Sequence, residues 1–174
     1  FITHRNNPIR KIFRESATSF VVNTFDWATH SSGFPIYQPY YKYAASSTTL
    51  TPSATSGSIT VTASASTFTS SWVGLRLRHK TKTMTVTGYT SATVLTCTVN
   101  ETLTDTNATT EWDEQTFSDL RGYPQAAAFH QNRFWMGGSA SRPAGIWASQ
   151  TGSYYNFFVD DSGDTKAIDV DISG

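Results

Sequence analysis

The chain has 174 residues, 13 basic and 13 acidic side chains, and a formal net charge of zero. That length allows one sizeable or two small cores, and the balanced charge argues against a nucleic-acid binder that neutralises many phosphates, though not against a lumen that DNA passes through. Charged residues are only 15% of the chain, well below the usual quarter, and Thr and Ser replace them, which favours strands and turns over helices.

Residues 1–14 (FITHRNNPIRKIFR) open with a short strand at Phe1-Ile2-Thr3. His4 to Pro8 reads as a turn with a proline brake, and Ile9 to Phe13 then alternates apolar and basic residues. Arg5, Arg10, Lys11 and Arg14 could form a patch for phosphates or for an acidic partner. The plainer reading is the solvated face of an edge strand, where Lys and Arg discourage edge pairing. Residues 19–27 (SFVVNTFDW) are apolar, β-branched and aromatic. They read as a second strand, joined to the first in a hairpin around Glu15 to Thr18.

Residues 28–43 form an irregular aromatic loop with Pro35, Pro39, Tyr37, Tyr40, Tyr41 and Tyr43. Such a cluster could stack on a sugar or a peptide. More commonly it packs on its own domain or on a neighbouring subunit, where Tyr is enriched. From residue 44 to 110, Thr and Ser dominate. Residues 50–52, 58–63 (SITVTA), 72–78 (WVGLRLR), 83–87 and 93–99 (TVLTCTV) alternate as half-buried antiparallel strands do. Turns are expected at Ser56-Gly57, at 79–82 and at 88–91. This spacing predicts one compact β-module of barrel or sandwich type, inserted at 45–110. The single Cys97 sits at an alternating position between Leu95 and Val99 and reads as an inert buried thiol; one cysteine and four scattered His exclude an internal disulfide and a zinc constellation.

Residues 110–120 (TEWDEQTFSDL) are acidic. Glu111, Asp113, Glu114 and Asp119 could include a hydrolytic acid pair, but a solvated connector back to the parent domain is the plainer reading. Residues 121–158 hold short apolar runs between turns: Ala126 to Phe129, Phe134-Trp135-Met136, Ile146-Trp147-Ala148, and Tyr154 to Phe158. Each is too short for a helix, so an antiparallel meander is expected, with Gln131-Asn132 turning the first hairpin because Asn tolerates the left-handed conformation. Asp160 to Asp164 has the oxygens and glycine of a calcium loop but not its 12-residue pattern or closing Glu; a turn before an alternating strand, IDVDI at 168–172, is expected. No apolar run is long enough to span a bilayer and no signal peptide is visible. The chain starts on Phe1 without an initiator Met and ends beside a strand, so a fragment of a larger polypeptide is expected.

The 121–158 segment carries a resemblance. Gly122-Tyr123-Pro124, Phe129, Arg133-Phe134-Trp135, Gly137-Gly138, Pro143, Trp147-Ala148-Ser149, Gly152-Ser153-Tyr154 and Asn156-Phe157 follow one another as in tail tubular protein B, the nozzle family of short-tailed phages. The segment from His4 to Arg14 and the Thr/Ser-rich stretch 50–73 are similar to further parts of that family, and the stretch 27–43 resembles it least. The resemblance implies a virion tail protein that forms a ring, usually hexameric, below the portal and adaptor. It closes or conducts the DNA-ejection channel and docks the adaptor protein and tail fibres, with no membrane and no specific DNA binding. It also implies that the parent sheet belongs to a propeller-like platform.

The expected fold is therefore all-β: an antiparallel sheet domain from 1–44 and 111–174, interrupted by the inserted module. A structural role is expected, with no catalytic residue, cofactor or metal ligand. Tyr37, Tyr40, Tyr41, Tyr43, Arg10 and Arg14 are the candidate interface residues. The alternative is a carbohydrate-binding or glycan-degrading module of a phage or bacterial surface protein.

Overall fold

A computed structural model describes residues 1–159 and 163–172. The regular secondary structure of the described residues is antiparallel β, with one 3-10 turn, and the chain divides into two compact units. The first gathers Phe1–Thr29, Ile36–Pro39 and Phe117–Gly174, and the second His30–Pro35 and Tyr40–Thr116.

The first unit begins with a meander of β1 (Ile2–His4), β2 (Asn7–Arg14) and β3 (Phe20–Thr24), with β2 in the middle. β1 covers β2 only as far as Arg10, so Arg10 lies mid-meander, whereas Arg14 lies on a stretch of β2 paired with β3 alone. Pro8 lies inside β2 rather than in the turn. The ladder shifts register between Ile2 and His4, and a bulge is where a strand accepts a residue without an N–H donor. The β2–β3 loop closes through Glu15 N–H to Ser19 O at 3.0 Å. Arg14 holds its carbonyls, donating to Ser16 O and Ala17 O at 2.7 Å each.

The second unit is a seven-stranded sheet in the order β4-β10-β7-β8-β9-β6-β5. Its strands are β4 (Tyr40–Tyr41), β5 (Leu50–Pro52), β6 (Ser58–Ala63), β7 (Arg76–His79), β8 (Lys82–Ser91), β9 (Val94–Val99) and β10 (Trp112–Gln115). Leu50 and Thr109 exchange backbone hydrogen bonds of 2.9 and 3.2 Å, which ties β5 to the segment leading into β10. Inward positions of the alternating strands build the core: Val61, Leu77, Met84, Leu95 and Cys97, closed by Trp72 and Trp112.

Three expectations for this region are corrected. The strand read at 72–78 starts only at Arg76, because Trp72 ends the 3-10 turn and Gly74 takes φ +92°. The turn read at 88–91 is a bulged part of β8: Gly88 leaves room for Thr96 across the ladder, and the chain reverses after Ser91 instead. The acidic stretch after Thr110 is not a solvated connector. It forms β10 between β4 and β7, so the seven-stranded sheet extends past the boundaries read at 45 and 110. Its charge is matched rather than solvated, since Arg78 grips Asp113 with two bonds of 2.9 and 2.7 Å. Lys42 secures the same region by donating to the carbonyls of Ser46, Thr48 and Thr110 at 3.0, 2.9 and 2.7 Å, and burial lowers its pKa.

The first unit is completed by β11 (Ala126–His130), β12 (Arg133–Gly137), β13 (Gly145–Ala148) and β14 (Ile168–Asp171), a four-stranded meander in that order. Gln131 and Asn132 take φ of 48° and 56°, the two left-handed residues that a tight hairpin turn needs. The aromatic run 154–158 is not the fourth strand. Gln150 N–H bonds to Asn156 O at 2.8 Å, which folds the run back and sends Tyr154, Tyr155 and Phe157 onto the core of Ile9, Phe25, Phe117, Phe134, Met136 and Trp147.

Two buried arginines fix the frame. Arg133 donates to Ser149 O and Lys166 O at 2.6 Å and to Asp164 O at 3.0 Å, so it holds the segment that precedes β14. Arg142 binds Asp171 through two bonds of 3.1 and 2.9 Å and Asp169 through one of 2.7 Å, and its guanidinium lies over Trp147. This pairing places the two acids of the IDVDI strand on one face. Removing one partner of such a buried network leaves the others uncompensated, so Arg142→Ala should cost about 3–5 kcal/mol of stability, read from the urea midpoint. A loss no larger than that of a surface substitution would contradict the clamp. Burial pushes the Cys97 thiol up to about 12, so it stays protonated; at mildly alkaline pH it should resist alkylation in the folded chain and react freely in urea.

Candidate interaction surface

Successive side chains of a strand point to opposite faces. Burying Ile9 in the core turns Arg10, Ile12 and Arg14 together onto the outer face of β2. The ladder then fixes their neighbours. Ile2 and Thr24 flank Arg10, Val22 lies opposite Ile12, and Phe20 lies opposite Arg14. Ile2, Ile12, Val22 and Phe20 are 46, 47, 55 and 66% exposed. Covering a group of Val to Phe size contributes about 1.5–3 kcal/mol, so four on one face form a substantial sticky surface.

The electrostatics of the two faces differ. On the core side Lys11 bonds to Asp26 at 3.0 Å, and that bond raises the Lys11 pKa. The outer face carries Arg10 and Arg14, and none of the residues that the register places on it is acidic. Arg10 Nη1 donates to Thr24 Oγ1 at 2.8 Å, which holds the guanidinium across the strands. An apolar face with two oriented guanidinium groups matches a partner that is apolar with acidic or carbonyl-rich margins.

The four tyrosines named from the sequence do not gather on this face. Tyr37 belongs to the first unit, where its ring packs 5.1 Å from Phe158 and its backbone bonds to Ala28 and Phe157. Tyr40, Tyr41 and Tyr43 belong to the second unit. There the Arg78 guanidinium lies 4.3 Å from the Tyr40 ring, Tyr43 Oη donates to Thr116 O at 3.1 Å, and Tyr41 packs edge-on to Tyr43. Of the four, Tyr41 is the exposed ring. Sequence reasoning misses Ile2, Ile12, Val22 and Phe20; the period-two spacing of Arg10, Ile12 and Arg14 signals Ile12 alone.

A second uncovered surface lies on the outer face of the four-stranded sheet. There Ala126, Ala128, Trp135, Gly137 and Ile146 line an apolar groove of about 250 Å³. The residues weighed for chemistry are used otherwise. Asp113 is paired with Arg78, Glu114 is buried in β10, Glu111 is exposed, and Asp119 accepts the Tyr123 hydroxyl at 3.0 Å. Buried His79 meets Asn107 O at 3.1 Å through Nε2. Among the described residues no three His, Cys, Asp or Glu are grouped to hold a metal ion, and Asp160 to Ser162 of the calcium-like turn lie outside the described residues.

No protein-family model matches the chain, and no curated protein matches it.

Because the outer face of β1–β3 contributes little to the core, replacing both Ile12 and Val22 with Ser should change stability by no more than about 1 kcal/mol in urea unfolding. The same variant should bind less of a hydrophobic dye than the wild-type chain. A large loss of stability would mean that these side chains are packed rather than presented.

Proposed function

We propose that this chain is a structural component of a short-tailed phage tail, part of a nozzle or tail tubular protein that assembles as a ring around the DNA-ejection channel. The observation that carries this reading is the uncovered face of β1–β3, apolar with Arg10 and Arg14 and without an acid. A closed ring needs a heterologous contact, in which two different patches of each subunit meet. The β1–β3 face is one such patch, and it lies against the neighbouring subunit of the ring. Exposed Tyr41 and the second unit are left for docking the adaptor protein and fibres. In this reading the four-stranded sheet is one sheet of a propeller-like platform, and the seven-stranded sheet is the inserted barrel.

The residues that carry the family resemblance support a scaffold role. Gly122 takes φ +81°, and a side chain there would run into Ala140. Phe134, Trp147 and Phe157 fill the core, and Arg133 ties three carbonyls together. They build the frame and present no reacting group. A rigid frame with few charges suits a conduit that DNA traverses without being held. The alternative, contact with glycans, is favoured by a different observation, a cleft in the first unit lined by Arg5, Asn6, Asp119 and Tyr123.

Val22→Glu together with Arg10→Glu should abolish ring assembly of the polypeptide that carries this chain, in mass photometry with the adaptor protein present, while leaving its thermal unfolding close to wild type. Rings of normal size from that double variant would overturn the assignment of this face. A wild-type protein that stays monomeric with the adaptor would overturn the tail reading itself.

A further inference from the structure

Three turns of the first unit meet around a half-enclosed cleft of about 330 Å³. The β1–β2 turn supplies Arg5 and Asn6, the turn after Phe117 supplies Asp119, Leu120 and Tyr123, and the loop between β12 and β13 supplies Ala140. The walls are stitched by backbone bonds: Tyr123 N–H to Arg5 O at 2.9 Å, Ser141 N–H to Arg121 O at 3.1 Å, and Gly122 N–H to Ser118 O at 2.7 Å. Gly122 makes the closure possible, since a Cβ there would sit 2.7 Å from that of Ala140. The His4 ring fixes the β1–β2 turn, meeting Asn6 N–H at 3.3 Å and the Asn7 side-chain amide at 2.9 Å. The cleft is thus formed before any ligand arrives, which lowers the ordering cost of binding.

Its lining has a distinct chemistry. Asp119 Oδ1 takes the Tyr123 hydroxyl at 3.0 Å, which orients the carboxylate and leaves its second oxygen for another donor. Burial and Asp119 push the Tyr123 phenol up to about 12, so it remains a donor at neutral pH. Among the described residues the Arg5 guanidinium and the Asn6 side chain make no hydrogen bond or ion pair, so both are available. Leu120, Ala140 and the Tyr123 ring supply apolar wall. A small anion would face Asp119 and a small cation would face Arg5, so neither gains from the site. A neutral ligand gains from both if it carries hydroxyl groups that donate to Asp119 and accept from Arg5 and Asn6, and a C–H face for the apolar wall. That description fits a pyranose sugar.

We propose that this cleft binds a neutral pyranose unit of a glycan, with Asp119 as hydroxyl acceptor, Arg5 and Asn6 as donors, and Leu120, Ala140 and the Tyr123 ring as the wall against the C–H face. Sugar binding here is independent of ring assembly, which uses the outer face of β1–β3.

The test is saturation-transfer NMR of the chain with the methyl glycosides of glucose, galactose, mannose and N-acetylglucosamine. At least one should show transfer with millimolar affinity, and Asp119→Asn should weaken it by about tenfold or more, the loss expected for a hydrogen bond to a charged group. Arg5→Ala should weaken it as well, with unchanged thermal unfolding for both variants. The milder Asn6→Ala serves as the readout if Asp119→Asn unfolds the turn. No transfer from any of the four glycosides overturns the proposal, and so does transfer that survives all three substitutions. Binding of inorganic phosphate or glycine in their place, lost on Arg5→Ala, also overturns it.

Discussion

Phe134 is the ring on which the first unit converges. It is fully buried in β12, and its centroid lies 4.6 Å from Phe1, 5.8 Å from Phe25, 5.2 Å from Phe129 and 6.3 Å from Phe157. Those rings come from the N-terminus, the end of β3, β11 and the segment after β13, so one side chain gathers four parts of the chain. Each aromatic pair adds about 0.5–1.5 kcal/mol beyond its area burial. This core fixes the orientation of the first sheet. With Ile9 and Phe25 turned inward, the period of the strand leaves Arg10, Ile12, Arg14, Phe20 and Val22 no choice but to face outward.

The outer face of β1–β3 is thus a consequence of how the core is filled. A three-stranded sheet whose outer side is aliphatic normally has a second layer. Here Ile9 and Phe25 pack against aromatic residues from Phe117 onward, and the aliphatic side chains on the other face of the hairpin stay exposed. Two buried arginines tie the other sheet of this unit together. Arg133 and Arg142 both act on the segment around β14, one through carbonyls and one through Asp169 and Asp171.

Much of the fold was legible because local chemistry and tertiary structure agree. The Gln131-Asn132 turn, the alternating strands of the second unit and the β2–β3 hairpin all follow from rules that act over a few residues. The misreadings share a cause, which is that a distant partner decides the outcome. The acidic stretch before Phe117 looks solvated until Arg78 is placed beside Asp113. The run from Tyr154 to Phe158 looks like a strand until its rings are needed by the core. Gly88 looks like a turn until Thr96 lies across from it. For the candidate surface, Arg10 and Arg14 were legible as charges. Val22 and Phe20 were not, because an apolar run in sequence gives no sign that other residues have already filled the core.

The most direct measurement is hydroxyl-radical footprinting of the isolated chain and of the same residues within assembled tail particles, with Ile12 and Phe20 as the reporting side chains and Phe134 as the internal control. If the β1–β3 face meets a neighbour, Ile12 and Phe20 are strongly oxidised in the isolated chain and clearly protected in the particle, and Phe134 is oxidised in neither. Equal oxidation of Ile12 and Phe20 in both states would mean that the β1–β3 face meets no neighbour in the assembly.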